Sequence, residues 1–215
     1  MRIDTSRTVI AALAIGASAV AATTAGAQVM EPTRAPIYFG IAAGATIPTG
    51  STSDLHGTGW HVQGLVDWMS PVAPIGLRGD LGFTSLGGKE ISAGNTSIRA
   101  DDLHMWAGTA DAVWMFRPAT GTSVMTPYAL GGVGLYHSSG GRSATTSLGT
   151  TQTTDDSSWN FGLNFGGGVM FDLSGFSTFA EARFHNVFNA GRNGQGEKAS
   201  AHFIPITFGV RFGGR

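Results

Sequence analysis

Residues 60–69 read Trp60-His61-Val62-Gln63-Gly64-Leu65-Val66-Asp67-Trp68-Met69, and residues 75–84 read Ile75-Gly76-Leu77-Arg78-Gly79-Asp80-Leu81-Gly82-Phe83-Thr84. Between them lies Ser70-Pro71-Val72-Ala73-Pro74. In the first stretch Trp60, Val62, Gly64, Val66 and Trp68 share one face, opposite His61, Gln63, Leu65 and Asp67. In the second, Ile75, Leu77, Gly79, Leu81 and Phe83 oppose Gly76, Arg78, Asp80, Gly82 and Thr84. A period of two sustained over such a length fits a β-strand and not a helix. Two strands joined by a short Pro-containing connection read as a hairpin. One face is almost continuously apolar, and the ionisable residues gather on the other. A soluble barrel would bury the apolar face. A membrane barrel turns that face to lipid and keeps its charges inside, because a charge directed at hydrocarbon is costly.

The pattern recurs along the chain. Eight apolar-alternating stretches appear: Ile37–Ile47, Trp60–Met69, Ile75–Leu86, Leu103–Phe116, Pro127–His137, Trp159–Phe171, Phe176–Val187 and His202–Phe212. Each is close to the roughly 9–11 residues that a tilted membrane strand needs. The last opposes Ile204, Ile206, Phe208, Val210 and Phe212 to Pro205, Thr207, Gly209 and Arg211. The connections alternate in length. After the second, fourth and sixth stretches they are short: residues 70–74, a turn from Pro118 to Thr126, and Asp172-Leu173-Ser174-Gly175. After the first, third, fifth and seventh they are long and polar, the longest being Ser138–Ser158. Outer-membrane barrels place short turns in the periplasm and long loops outside. The expected fold is therefore all-β, an eight-stranded antiparallel up-and-down transmembrane β-barrel with both termini periplasmic.

The N-terminus reads as a leader. Arg2 and Arg7 precede an apolar run from Thr8 to about Ala22, and Ala25-Gly26-Ala27 supplies the small-x-small pattern of a cleavage site. Residues 1–27 are thus expected to be a cleaved signal peptide and 28–215 the barrel domain. The apolar run falls short of the roughly 20 residues of a membrane-spanning helix. The chain has no cysteine, so the exported domain must close by packing and hydrogen bonds alone. A formal net charge of −1, with no basic run, argues against a nucleic-acid partner. Charged residues make up 13% of the chain, about half the usual share. Hydrophobic residues still make up 42%, which excludes disorder by composition.

The tryptophans give a length to check. Trp60 and Trp68 are eight residues apart on one face, as are Trp106 and Trp114. Eight residues span about 26 Å, and a tilt of about 40° leaves about 20 Å of membrane height. That is near the roughly 25 Å apolar band flanked by aromatic girdles in such barrels. Trp60, Trp68, Trp106 and Trp114 are the expected girdle. Tyr128 and Tyr136 repeat the spacing, but Gly132 and Gly134 between them fit either side of the wall, so the facing of the fifth stretch stays open.

Tyr38-Phe39-Gly40-Ile41-Ala42-Ala43-Gly44 with Pro48-Thr49-Gly50, Pro127-Tyr128-Ala129-Leu130-Gly131-Gly132-Val133-Gly134, Phe179-Ala180-Glu181-Ala182-Arg183-Phe184 and Phe203-Ile204-Pro205-Ile206-Thr207-Phe208-Gly209-Val210-Arg211-Phe212 together resemble the OmpA/OmpX-like outer-membrane β-barrel family. The resemblance runs from about Ala35 to Phe212. It implies an eight-stranded barrel inserted by the barrel-assembly machinery, usually without enzyme activity. That family usually ends on an aromatic residue, whereas Gly213-Gly214-Arg215 follow Phe212 here.

The candidate chemistry is a set of charges on the polar faces. Glu181, Arg183 and His185 alternate in the seventh stretch, and Arg78 and Asp80 alternate in the third; Asp67, Asp111 and Arg211 join them. An eight-stranded interior is just wide enough to be filled by side chains, and charges placed there must pair. The expected role is a structural network plugging the lumen, with a narrow small-solute or ion channel as the alternative. A remoter alternative is a lipid A-modifying hydrolase, because His185 and Asn189 faintly resemble the His-x-Ser-Asn segment of outer-membrane lipid A deacylases. The position that pattern gives to serine holds Val187, which leaves no nucleophile beside the base. No metal or cofactor site is expected. The six histidines lack zinc-ligand spacing, Asp155-Asp156 reads as a solvated acidic pair, and Gly87-Gly88-Lys89 lacks the rest of a phosphate loop. The expected partners are outer-membrane lipid and lipopolysaccharide, the assembly machinery, and an extracellular ligand on the Ser-, Thr- and Gly-rich loops.

Overall fold

The computed structural model describes residues 37–93, 96–100, 102–116, 124–146, 151–192 and 198–213, with backbone alone at 55, 91–93, 96–100, 141–146, 151–156, 191–192 and 198–199. The expected leader, 1–27, lies outside these residues, as does most of the Pro118–Thr126 turn. The described residues form ten strands: β1 (Ile37–Thr49), β2 (Gly59–Met69), β3 (Ile75–Leu86), β4 (Glu90–Ala93), β5 (Thr96–Ala100), β6 (Leu103–Met115), β7 (Met125–Thr146), β8 (Thr151–Leu173), β9 (Phe176–Arg192) and β10 (Lys198–Gly213). One helical turn, α1 (Thr52–Leu55), sits between β1 and β2.

Eight of these strands close a ring, each antiparallel to the next. The order is β1, β2, β3, β6, β7, β8, β9, β10. The last strand returns to the first in register from Tyr38↔Gly213 to Thr49↔His202. Closure leaves the wall without an unpaired edge. Every ring strand alternates outward and inward residues, because successive side chains of a strand leave on opposite faces. In β2 the outward residues are Trp60, Val62, Gly64, Val66 and Trp68, and His61, Leu65 and Asp67 are buried inside. In β6 Trp106 and Trp114 face outward, while Met105, Thr109, Asp111 and Val113 face in.

The structure corrects the length of the connections. Ser138–Ser158, expected to be a polar loop, continues β7 and β8 as a paired hairpin from Ser138↔Ser158 to Thr145↔Thr151. Likewise β9 runs on to Arg192, and β10 starts at Lys198. Small polar residues carry no apolar alternation, so periodicity does not reveal them. Antiparallel pairing nonetheless satisfies their backbone groups, and Thr favours extended backbone. β7 has 22 residues; at about 3.3 Å each it spans about 73 Å, more than twice the bilayer core of about 30 Å. The third connection holds the β4–β5 hairpin, whose β5 adds to the projecting part of β7 at Thr96↔Thr146 through Ala100↔Arg142. Gly87-Gly88-Lys89, in the same connection, is structural. The Lys89 ammonium donates to the Ser53 carbonyl at 2.7 Å, and the Gly88 N–H donates to the Asp102 carboxylate at 3.0 Å. Asp155 and Asp156 lie on β8, and their side chains are outside the described set.

At the other end β8 turns into β9 through Ser174-Gly175, where Gly175 adopts a φ of 101° that a Cβ would disfavour. On β9 a second irregularity appears. Val187 pairs with Ala201 and Gly191 with Ala199, so three β9 residues oppose Ser200 alone. Asn189 takes up the bulge at φ 56°, a region Asn enters more readily than most residues.

The facing of β7 is settled by burial. Tyr128 and Tyr136 point inward and are 2% and 0% exposed, while Val133 and Leu135 point out. Glycine makes room for what lies inside. A Cβ on Gly132 would lie 2.0 Å from the Ala110 carbonyl and 2.3 Å from an Asp111 carboxylate oxygen, and one on Gly168 would lie 2.7 Å from the Tyr128 hydroxyl. On the outer face, Gly79 has nothing within 4 Å of its Cβ position. Gly132→Ala should therefore destabilise the folded protein by about 1–3 kcal/mol, whereas Gly79→Ala should change it by no more than about 0.5 kcal/mol. Urea unfolding midpoints of the refolded proteins check both.

Candidate functional site

The interior is stacked in layers. Toward the tight-turn end, Met69, Val113, Met115, Leu130, Met170 and Phe179 form an apolar cluster. Toward the long hairpins, Met105, Tyr136, Val187 and Phe203 form another. On β6, Asp111 lies between Met105 and Met115; on β9, Glu181 and Arg183 lie between Phe179 and Val187. The charges thus occupy the middle of the barrel with apolar caps above and below.

Sheet register brings the first charges together. Asp67 on β2 is opposite Arg78 on β3, and Arg78 is opposite Asp111 on β6. The Arg78 guanidinium holds Asp67 bidentately, Nε to Oδ1 at 2.5 Å and Nη2 to Oδ2 at 3.1 Å. Its remaining nitrogen, Nη1, crosses the lumen to donate to Glu181 Oε2 at 2.8 Å. Glu181 also accepts from the Tyr128 hydroxyl at 2.6 Å and from Arg183 Nε. Arg183 Nη1 donates to Asp80 Oδ2 at 2.9 Å and to Asp111 Oδ2 at 3.0 Å. Arg211 donates to Asp67 Oδ2 at 3.1 Å and stacks 4.4 Å above the Tyr38 ring. The three arginines and four carboxylates therefore form one connected network with Glu181 at its centre. The side chains of Arg78, Asp67, Glu181 and Asp111 have no solvent exposure.

Beside the network lies a layer of rings and hydroxyls. His61 bridges Thr46, 3.0 Å from Nδ1, and Thr207, 2.9 Å from Nε2. His185 Nδ1 is 2.8 Å from the Tyr136 hydroxyl, and the imidazole stacks on Phe203 at 4.9 Å. Between these groups and Asp80, Thr109 and Arg183 is a cavity of about 30 Å³, room for about one or two waters. Among the described residues no cluster of His, Asp and Glu has metal-ligating geometry.

All eight residues singled out from the sequence, Asp67, Arg78, Asp80, Asp111, Glu181, Arg183, His185 and Arg211, are buried in this interior. The first six and Arg211 meet in the network; His185 stands in the layer beside it. Sequence reasoning missed Tyr128, Thr109 and the His61 bridge. A signal for the first two was present: a Cβ on Gly168 would lie 2.7 Å from the Tyr128 hydroxyl and one on Gly134 would lie 2.9 Å from Thr109 Cγ2, so the glycine-rich runs of β7 and β8 mark where bulk is accommodated. Val187 is fully buried, and its neighbour His185 is committed to Tyr136. Trp60, Trp68, Trp106 and Trp114 are all exposed on the outer wall, as is Trp159. Phe83 joins Trp60 and Trp106, its centroid 5.6 and 5.1 Å from theirs.

Truncating one member of this network leaves its partners charged and buried. Arg78→Ala should cost about 3–5 kcal/mol, since Asp67 and Glu181 both lose their principal donor. Lys89→Ala, whose ammonium reaches a carbonyl in an exposed connection, should cost under about 1 kcal/mol. Urea titration of the two refolded variants gives the comparison.

No family model and no curated protein matches the sequence. Solved structures do match. Neisserial surface protein A is 16% identical, with a TM-score of 0.51 over 83% of this chain and 97% of that one. A major outer membrane protein from Thermus thermophilus is 15% identical, with a TM-score of 0.51 over 82% and 98%. The outer membrane enzyme PagL is 20% identical, with a TM-score of 0.45 over 82% and 99%. At these identities the likeness to the first two is one of fold alone, and the shared fold is a closed eight-stranded antiparallel β-barrel.

Proposed function

We propose that this chain is a non-enzymatic integral protein of the bacterial outer membrane, a solid barrel that anchors surface hairpins. The observation that carries the reading is the inverted distribution of polarity. Phe39, Ile41, Leu77, Leu81, Phe165 and Phe208 stand on the outer wall with 60–68% of their surface exposed, while the arginines and carboxylates of β2, β3, β6, β9 and β10 are sealed inside. Exposed apolar area on this scale is not stable in water and is ordinary against lipid. Trp60 and Trp106 then mark the interface near the long hairpins, and Trp68 and Trp114 the one near the tight turns. The charged network serves as the structural plug of the lumen. The outer wall meets outer-membrane lipid and lipopolysaccharide, and the barrel-assembly machinery inserts the chain after removal of the leader at 1–27.

The hairpins of β7–β8 and β9–β10 and the β4–β5 pair rise beyond the apolar belt, and they are the parts that meet an extracellular ligand. The alternative of a narrow channel requires the network to re-pair, because the cavity beside it holds little more than a water or two. Hydrolysis finds no support at His185, where Val187 stands in place of a nucleophile.

Cell fractionation tests the membrane reading. The protein should sediment with the outer membrane, resist extraction by carbonate and high salt, and migrate faster on an unheated SDS gel than after boiling. Recovery in the soluble periplasmic fraction, with no heat-dependent shift, would refute it.

A further inference from the structure

Three imidazoles stand on the outer wall, all at the end of the long hairpins. His104 shares the outward face of β6 with Trp106 and Trp114. His137 shares that of β7 with Val133 and Leu135, and His202 that of β10 with Ile206 and Phe208. At the tight-turn end the outward aromatics are Trp68, Trp114, Phe171, Phe176 and Phe212, and among the described residues no histidine joins them.

The closed register sets the three at one level. A hydrogen-bonded ladder that leaves β1 at Thr49 for His202, followed through β9, β8, β7, β6, β3 and β2, returns to β1 at Phe39, ten residues lower. Spread over eight strands, that is about one and a quarter residues per strand, or about 3 Å of height. His137 lies opposite both Trp106 and Trp159, and His104 is two residues beyond Trp106 on β6. With the climb of the ladder taken off, His104, His137 and His202 fall within about 3 Å of one height. They stand about 3–6 Å further out than Trp60 and Trp106, the aromatics that mark the edge of the apolar belt.

Each imidazole is held by a neighbouring ring. His104 stacks on Phe83 with centroids 5.8 Å apart and planes at 20°, and His202 on Phe184 at 5.7 Å and 19°. His137 lies 4.7 Å from Trp159 at 33°. Stacking covers a face of the ring and leaves the nitrogens at its edge. Inside the barrel, His61 and His185 are hydrogen-bonded to Thr46, Thr207 and Tyr136. Among the described residues none of the three outer imidazoles has a hydrogen-bonded nitrogen. His137 Nδ1 is buried without a partner, which leaves Nε2 as its accessible nitrogen. An imidazole carries at least one N–H in either protonation state. Asp102, the acid two residues before His104, accepts from the Gly88 N–H at 3.0 Å.

We propose, resting on the outer-membrane reading above, that His104, His137 and His202 form a collar that binds the phosphorylated glycolipid of the outer leaflet, each imidazole donating an N–H to a phosphate oxygen. An anionic acceptor makes such a bond stronger than a neutral one does. Stacking holds the donors in place before the lipid arrives, which lowers the cost of ordering them. The phosphates of that lipid sit on the sugars that carry its acyl chains, just outside the apolar belt, where the collar lies.

Magnetic resonance of isotope-labelled histidine rings tests this, with the full chain refolded in a neutral detergent and titrated with bisphosphorylated lipid A at neutral pH. The ring signals of His104, His137 and His202 should shift, and those of His61 and His185 should stay. The same lipid stripped of its phosphates should move none of them, and phosphatidylglycerol should act only at higher concentration. A triple variant, His104→Phe with His137→Phe and His202→Phe, keeps the stacked rings but loses the donors. It should retain the heat-dependent gel shift and bind lipid A about tenfold less tightly. Outer rings unmoved by lipid A overturn the proposal, even if the variant does not fold. So do equal shifts with the dephosphorylated lipid or with phosphatidylglycerol, and so does a folded variant of wild-type affinity. A protein that shows no heat-dependent shift fails the outer-membrane reading itself, whereas one that shifts on heating and ignores lipid A fails the collar alone.

Discussion

The buried guanidinium–carboxylate network is the constraint on which the rest of this barrel depends. Eight strands enclose a space that side chains fill, so a charge placed inside has no water to retreat to. It must find an opposite charge at hydrogen-bonding distance or unfold the region around it. Arg78 and Arg183 meet that demand from opposite walls, and Glu181 accepts from both. The strand period of two supplies the rest. Whatever alternates with an inward charge faces outward, so the apolar belt and the charged core are two readings of one register. A slip of one residue would send Asp67 and Arg78 into lipid and the tryptophans into the lumen.

The same physics explains which parts of the fold were legible in the sequence. In β2, β3 and β10, charged or polar residues on one face and large apolar residues on the other make the assignment unambiguous. In β7 the residues between Tyr128 and Tyr136 include three glycines, and glycine carries no polarity to assign, so the facing of the tyrosines emerges from packing alone. The hairpin extensions were hidden for a different reason. In sequence Ser138–Ser158 is rich in Ser, Thr and Gly without apolar alternation, which looks the same as a loop. The inward charges could be named from alternation. Their pairing could not, because Arg78 and Glu181 are 103 positions apart and meet only when the ring closes.

A core of this kind leaves little freedom for substitution in the middle of the lumen. The middle of the lumen is occupied by side chains that hold one another, and substitutions there cost stability before they change activity. The projecting parts of β7, β8, β9 and β10 continue the wall as antiparallel pairs held by backbone ladders.

Whether the network closes the barrel is tested most directly by electrical recording. Purified protein refolded into a planar lipid bilayer should insert without unitary current steps at neutral pH and moderate voltage, because Arg78, Arg183 and Glu181 occupy the conduction path. Reproducible single-channel steps from the wild-type barrel would contradict the account, since ions would then be passing through a space that the network is said to fill.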